Sequence, residues 1–244
     1  MKTEVLFQDL GVRSYKEVWD YQEQLLKQNV EIKSALFHQE KTSESLENQP
    51  HTVNHLLFVE HTPVYTLGKS GHKENVLISD EVMHDKGIEY FHINRGGDIT
   101  FHGPGQLVGY PILDLDKFKA DLGWYLRSLE EVVILTMAEY GLVGDRSKGE
   151  TGVWLDPNIK GKERKICAMG IKCSRWVTMH GFALNVNTDL DYFSNIVPCG
   201  IQDKQVTSLQ KELGRELSLE EVKEKMKANF EKVFNSRLIQ STKY

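Results

Sequence analysis

Apolar positions in SYKEVWDYQEQLLKQNV recur at Val18, Tyr21, Leu25 and Leu26, the spacing of one helical face, and Ser14 is placed to cap that helix. A loop follows around Pro50. HLLFVEH and VYTLG are compact apolar runs and predict two strands, broken at Thr62-Pro63 because proline donates nothing to a sheet ladder. GIEYFHI predicts a third. Helical spacing returns in DLGWYLRSLEEVVILTMAEYG, at Leu122, Leu126, Leu129, Val133 and Met137, with Gly141 as the stop.

TGVWLD, KICAMGIKC and MHGFALNV predict three more strands, joined by the polar PNIKGKERK and by SRWVT. The chain closes in short helices. Thr207 and Gln210 fit a capping box, as do Ser218 and Glu221, and Val222, Met226, Phe230 and Val233 form the buried face of the last helix. Strand runs mixed with a few helices, without regular alternation, indicate an α+β fold with a mixed sheet. Residues 1–244 read as a single catalytic domain, with a small C-terminal helical subdomain from about residue 200.

The 244 residues are 40% hydrophobic and 27% charged, enough for a substantial core. A formal net charge of -5 excludes a broad basic field for nucleic acid. The first residues hold no apolar block of signal-peptide length, and VVIL is far too short to span a membrane, so the expected location is cytoplasmic. Cys167, Cys173 and Cys199 read as free thiols rather than a disulfide framework, and their spacing makes a poor zinc site. The expectation is a metal-free monomer.

The stretch RGGDITFHGPGQLVGYP is the densest in glycine, and such a run can wall a narrow pocket with main chain. It carries neither a Walker loop nor the spacing of a dinucleotide fingerprint. Its glycines alone also fit a tight hairpin, Asp98 fits a turn cap, and His102 and His180 fit structural histidines. A cysteine nucleophile needs a base or a cation beside it. Cys199 sits in VPCGI, where the backbone must turn, and Lys165 opens the apolar KICAMG. Taken singly, Lys165 reads first as a solvated strand end and Cys199 as a small buried hydrophobe.

Five ordered blocks resolve these alternatives by resemblance. EHTPVYTLG, RGGDITFHGPGQLVGYP, TGVW, KICAMGIKCSRWVTMHGFALNV and VPCGI are similar to the signatures of the octanoyltransferase family of lipoate biosynthesis, in family order and across most of the chain. Thr62 stands where a second proline is commoner, and the loop before Lys165 is longer than usual. Cys167 and Cys173 replace small or branched apolar residues. The resemblance implies a fold related to the lipoate and biotin protein ligases. It also implies that Cys199 is the acyl-accepting nucleophile and Lys165 its catalytic partner. The implied acyl pocket comprises Arg95, Gly96, Gly97, Asp98, Ile99, Thr100, Phe101, His102 and Gly103, then Ala168, Met169 and Gly170, then Gly181, Phe182 and Ala183.

The implied reaction moves an octanoyl group from octanoyl-acyl carrier protein to a lysine of a lipoyl domain. The implied acceptors are the E2 subunits of 2-oxoacid dehydrogenases and the glycine cleavage H protein. No cofactor is needed, because thioester to amide is downhill. Such partners are usually acidic, so a locally basic docking face is expected, with Arg164, Lys172 and Arg175 as candidates. The rival readings are an ATP-dependent lipoate or biotin ligase, a silent acyl-binding protein and, more remotely, a cysteine protease.

Overall fold

The computed structural model describes residues 2–42, 50–197 and 205–241. In chain order the elements are β1 (Thr3–Arg13), α1 (Tyr15–Thr42), β2 (His55–His61), β3 (Val64–Leu67), α2 (Asp80–Asp85), β4 (Glu89–His92), β5 (Ile99–His102), β6 (Gln106–Ile112) and α3 (Leu122–Ala138). Then come β7 (Val153–Leu155), β8 (Arg164–Ser174), β9 (Val177–Asn185), β10 (Gln205–Val206), α4 (Leu209–Leu213), α5 (Leu219–Val233) and β11 (Ser236–Gln240).

Among the described residues the large sheet has eight strands in the order β10-β8-β9-β6-β2-β1-β11, with β7 also paired to β8. β1 runs parallel to both its neighbours and β10 parallel to β8, while the central pairs are antiparallel. A small second sheet has the order β4-β3-β5. The fold is α+β with mixed sheets, as the sequence predicts.

The period of two along β2 divides the interior. Leu57 and Val59 face α1, where they meet Val18, Leu25, Leu26 and Met179. Leu56 and Phe58 point the other way, toward Leu129, Val133 and Met137 of α3 and Val222, Met226 and Phe230 of α5. Ser14 and Ser218 accept backbone N–H bonds from Glu17 and Glu221 at the predicted helix starts.

Several local details differ from the sequence expectation. Leu122 is exposed, and the α3 stripe centres instead on Tyr125, Leu129, Val132, Val133 and Met137. The link between β8 and β9 shrinks to Arg175–Trp176, both left-handed (φ 49 and 64), because such a two-residue turn matches the twist of a hairpin. Thr207 does not cap α4; Ser208 does, accepting from Lys211, while the Thr207 hydroxyl bonds Glu212. The sequence pattern does not announce β1, α2, β10 or β11, and the glycine-rich stretch forms not a hairpin but two strands, β5 and β6, in different sheets. β1 hides its alternation of Val5 and Phe7 behind a bulge at Gly11, where φ is +63 and the register with β2 shifts.

Candidate active site

The glycine-rich stretch crosses from one sheet to the other: β5 belongs to the small sheet and β6 to the large one. The loop before β5 is drawn together by Arg95. Its guanidinium donates to the carbonyls of Gly96 at 2.9 Å, Thr66 at 3.0 Å and Asp98 at 2.8 Å. This loop lies directly on β8. The Gly96 N–H donates to the Ile171 carbonyl at 3.0 Å, and a Cβ on Gly170 would stand 2.6 Å from the Gly96 oxygen. Only glycine permits that approach.

Asp98 fastens the loop outward. Its carboxylate accepts from the Ile99 N–H at 2.7 Å and from Asn75 Nδ2 at 2.8 Å, and the Asn75 carbonyl in turn accepts from the Val197 N–H at 2.8 Å. Val197 is the last described residue before Cys199, which lies outside the described residues, so no position is assigned to its thiol. The chain is described again from Gln205, beside Arg164 and Lys165 of β8.

Lys165 is held on three sides. Its side chain is mostly buried, with Nζ 3.8 Å from the Glu150 carboxylate and 4.5 Å from the centroid of the Trp154 ring. Its carbonyl accepts from the Thr207 N–H at 3.0 Å. The segment carrying Glu150 is anchored from beneath by Glu130 on α3. That fully buried carboxylate accepts from the Gly152 N–H at 3.1 Å, from Arg127 at 2.6 Å and from Arg146 at 3.0 Å.

Lys165 lines a cleft of about 600 Å³ together with Gly97, Asp98, Ile99, Gln106, Asn185 and Val206. Five residues of this cleft, Arg95, Thr100, Ala168, Met169 and Ala183, also line an inner cavity. The inner cavity adds Gly170, Gly181, Phe182 and Val108, and is ringed by Tyr15, His102, Tyr110 and His180. Alternation along β5 sends Thr100 and His102 into the cavity walls, and Phe101 away from them.

Buried hydrogen bonds fix the state of two histidines. His61 Nδ1 faces the Arg13 carbonyl at 3.1 Å and must donate, so its Nε2 accepts from the Tyr110 hydroxyl at 2.8 Å. Gln106 Nε2 donates to Phe101 and Asn185, leaving its Oε1 to accept from His102 Nδ1 at 2.7 Å. Burial pulls the pKa of His61 down to about 4, and burial with the nearby His61 holds His102 well below the usual histidine range. His180 is pulled down to about 3, chiefly by burial. All three stay neutral at physiological pH.

The structure thus gathers Arg95, Gly97, Asp98, Ile99, Thr100, His102, Ala168, Met169, Gly170, Gly181, Phe182, Ala183 and Lys165 around a recess of two neighbouring pockets with shared walls. Gly96 contributes through its backbone. Phe101 stacks on Tyr192 at 4.4 Å in a separate cluster, and Gly103 sits against the Phe101 ring, so neither lines the recess. Sequence reasoning missed Glu150, Trp154, Gln106, Asn185, Tyr15 and Tyr110. Of these only Gln106 and Tyr110 stand in the glycine-rich stretch; Glu150 carries no periodic signal at all. Arg164 and Lys172, expected to face a partner, are paired within the chain, Arg164 to Asp156 and Glu212 and Lys172 to Glu23. Among the described residues no cluster of His, Cys, Asp or Glu is arranged to hold a metal ion, and no helix is long and apolar enough to cross a membrane.

Residues 14–231 match the family model described as the lipoyl protein ligase A/B catalytic domain. The chain is 57% identical to the octanoyltransferase of Christiangramia forsetii over 98% of this chain and 99% of that one. It is 54% identical to the octanoyltransferase of Flavobacterium psychrophilum over 98% and 100%. Among solved structures it resembles a bi-partite lipoate protein ligase of Thermoplasma acidophilum (TM-score 0.67, 17% identity, 99% of this chain and 88% of that one). A lipoate-protein ligase A bound with ATP is similar at TM-score 0.66 and 17% identity, over 100% and 90%. These two likenesses concern the fold.

Proposed function

The chain belongs to the lipoyl protein ligase A/B catalytic-domain family, among relatives named octanoyltransferase, and on that footing we propose the chemistry it performs. It transfers an octanoyl group from octanoyl-acyl carrier protein to a lysine of a lipoyl domain through a thioester on Cys199, with Lys165 handling the protons. The acceptors are the lipoyl domains of 2-oxoacid dehydrogenase E2 subunits and the glycine cleavage H protein. The observation that carries this reading is Lys165 in the wall of a cleft that shares Ala168, Met169 and Ala183 with a neighbouring cavity lined by Gly170 and Phe182.

The Cys199 thiolate attacks the carrier thioester, and the C–S bond to the carrier breaks. The Lys165 ammonium passes a proton to the departing thiolate. Lys165, now neutral, then takes a proton from the acceptor amine as that nitrogen attacks the acyl-cysteine. Collapse expels the Cys199 thiolate beside a recharged Lys165, so the cycle closes without external acid or base. Glu150 and the Trp154 face support the ammonium at both ends of this cycle. The inner cavity takes the acyl tail, each buried methylene contributing about 0.8 kcal/mol.

The test is a transfer assay onto a purified lipoyl domain with two donors. Octanoyl-acyl carrier protein without ATP supports transfer on this reading. Transfer that requires free octanoate and ATP would instead favour a ligase.

A further inference from the structure

We propose that Asn75 is a positioning residue for the acyl-accepting thiol: it fastens the chain that delivers Cys199 to the wall of the Lys165 cleft. This deepens the acyl-transfer reading above and rests on it. Asn75 closes a single 3-10 turn, Lys73–Asn75, and is half-buried. Its two ends hold two different parts of the site. The side-chain Nδ2 donates to the Asp98 carboxylate at 2.8 Å, and Asp98 lines the cleft. The backbone carbonyl accepts from the Val197 N–H at 2.8 Å.

On the Val197 side the connection is a short antiparallel ladder. The Leu77 N–H donates to the Asn195 carbonyl at 2.9 Å, and Val76 bridges to Ile196. Ile196 is 4% exposed and belongs to one apolar cluster with Tyr65, Ile99 and Phe101, while Asn195 Nδ2 donates to the Tyr65 hydroxyl at 3.2 Å. The Asp98 side is equally specific. Asp98 Oδ1 accepts from the Ile99 N–H at 2.7 Å, and Oδ2 is the oxygen that takes Asn75. A Cβ on Gly71 would stand 2.6 Å from Oδ1, so the carboxylate is also confined sterically.

Covalent geometry makes this anchor the governing one. Cys199 is two residues from Val197 and six from Gln205. A chain spans at most about 3.6 Å per residue, so the first separation allows no more than ~7 Å and the second ~22 Å. Gln205 and Val206 pair with Arg164 and Lys165, but from six residues away that pairing leaves the thiol a wide range. The tighter limit comes from Val197, and Asn75 joins Val197 to the cleft wall. Attack on a thioester needs the reacting atoms about 3–3.5 Å apart and aligned, so a small displacement costs rate before it costs binding. The Asn75 link therefore acts on the attack of Cys199 and not on the hold of the acyl tail.

The test follows formation of octanoyl-Cys199 by intact mass, in single turnovers over a range of octanoyl-acyl carrier protein concentrations. Asn75→Ala keeps the backbone ladder and cuts the link to Asp98. It is expected to lower the saturating rate constant by about fivefold or more, with the half-saturating donor concentration little changed. Asn75→Asp sets two carboxylates against each other and is expected to be slower still. Adding Asp98→Asn to Asn75→Asp restores the hydrogen bond with donor and acceptor exchanged, and is expected to raise the rate at least about fivefold over Asn75→Asp alone. A folded Asn75→Ala that loses less than fivefold overturns the proposal, as does one in which only the half-saturating concentration moves. Neither result needs Asn75→Asp to fold. A wild type that forms no octanoyl-Cys199 removes the acyl-transfer reading itself, and the role of Asn75 with it.

Discussion

Lys165 and Trp154 face each other across the β7–β8 ladder, with the lysine Nζ 4.5 Å from the centre of the indole ring. The ring and the Glu150 carboxylate fix where the ammonium can stand. Trp154→Leu keeps the strand apolar but removes the π face, and a cation–π contact in a desolvated site contributes about 1–2 kcal/mol. The expected result is a kcat about tenfold lower, with KM for the acyl donor little changed. Lys165→Ala, which removes the proton-transfer group itself, is expected to cost at least ~100-fold in kcat. Steady-state transfer kinetics distinguish the two, and a Trp154→Leu loss that persists undiminished in the Lys165→Ala background would show that the ring does not act through the lysine.

Gly170 gives a second, steric prediction. A side chain there meets the Gly96 oxygen and the Arg95 side chain, at 2.6 and 2.7 Å from the added Cβ. Gly170→Val must push the loop off β8 or bend the strand, at a cost of about 1–3 kcal/mol. The urea midpoint falls, and KM for the acyl donor rises because Gly170 also lines the inner cavity. A variant with unchanged KM would mean that the acyl tail does not pass this strand.

The buried histidines predict acid sensitivity. His61 and His180 are depressed by burial to about 4 and about 3, and His102 is held low as well. In the unfolded chain each protonates near pH 6.5. Between about pH 6.5 and pH 4 the unfolded state therefore binds more protons than the folded one, so stability falls as pH falls through that window. His61 alone contributes on the order of 3 kcal/mol of loss across it. The urea midpoint is expected to be flat from pH 8 to 7 and to drop steeply toward pH 5. An unchanged midpoint at pH 5 would contradict the buried, neutral state of all three rings.

Most of the fold is legible in the residues because the pattern is strong where elements bury one whole face. β2 reads directly as a short apolar run buried on both faces, and α5 as Val222, Met226 and Phe230 behind a serine cap. Some of the strands that escape have partners distant in sequence. β11 pairs with β1, and β10 with β8, so their short, half-polar runs acquire meaning only in the assembled sheet. At the site, the glycine-rich stretch announces a backbone-lined wall through its composition. Glu150 does not announce itself. It lies in a charged loop like any other, and its position beside Lys165 comes from Glu130, which grips Gly152 from another helix. His180 is visible as a residue but not as a strained one, since its left-handed backbone lies inside β9 with no local turn signal to announce it.

A covalent acyl-Cys199 is tested most directly by intact-mass spectrometry of the protein after incubation with octanoyl-acyl carrier protein in the absence of ATP. The expected spectrum gains the mass of one octanoyl group, shows no gain for Cys199→Ser, and loses the adduct when a lipoyl domain is added. An unmodified wild-type mass, with the lipoyl domain acylated only when free octanoate and ATP are supplied, would contradict the covalent mechanism.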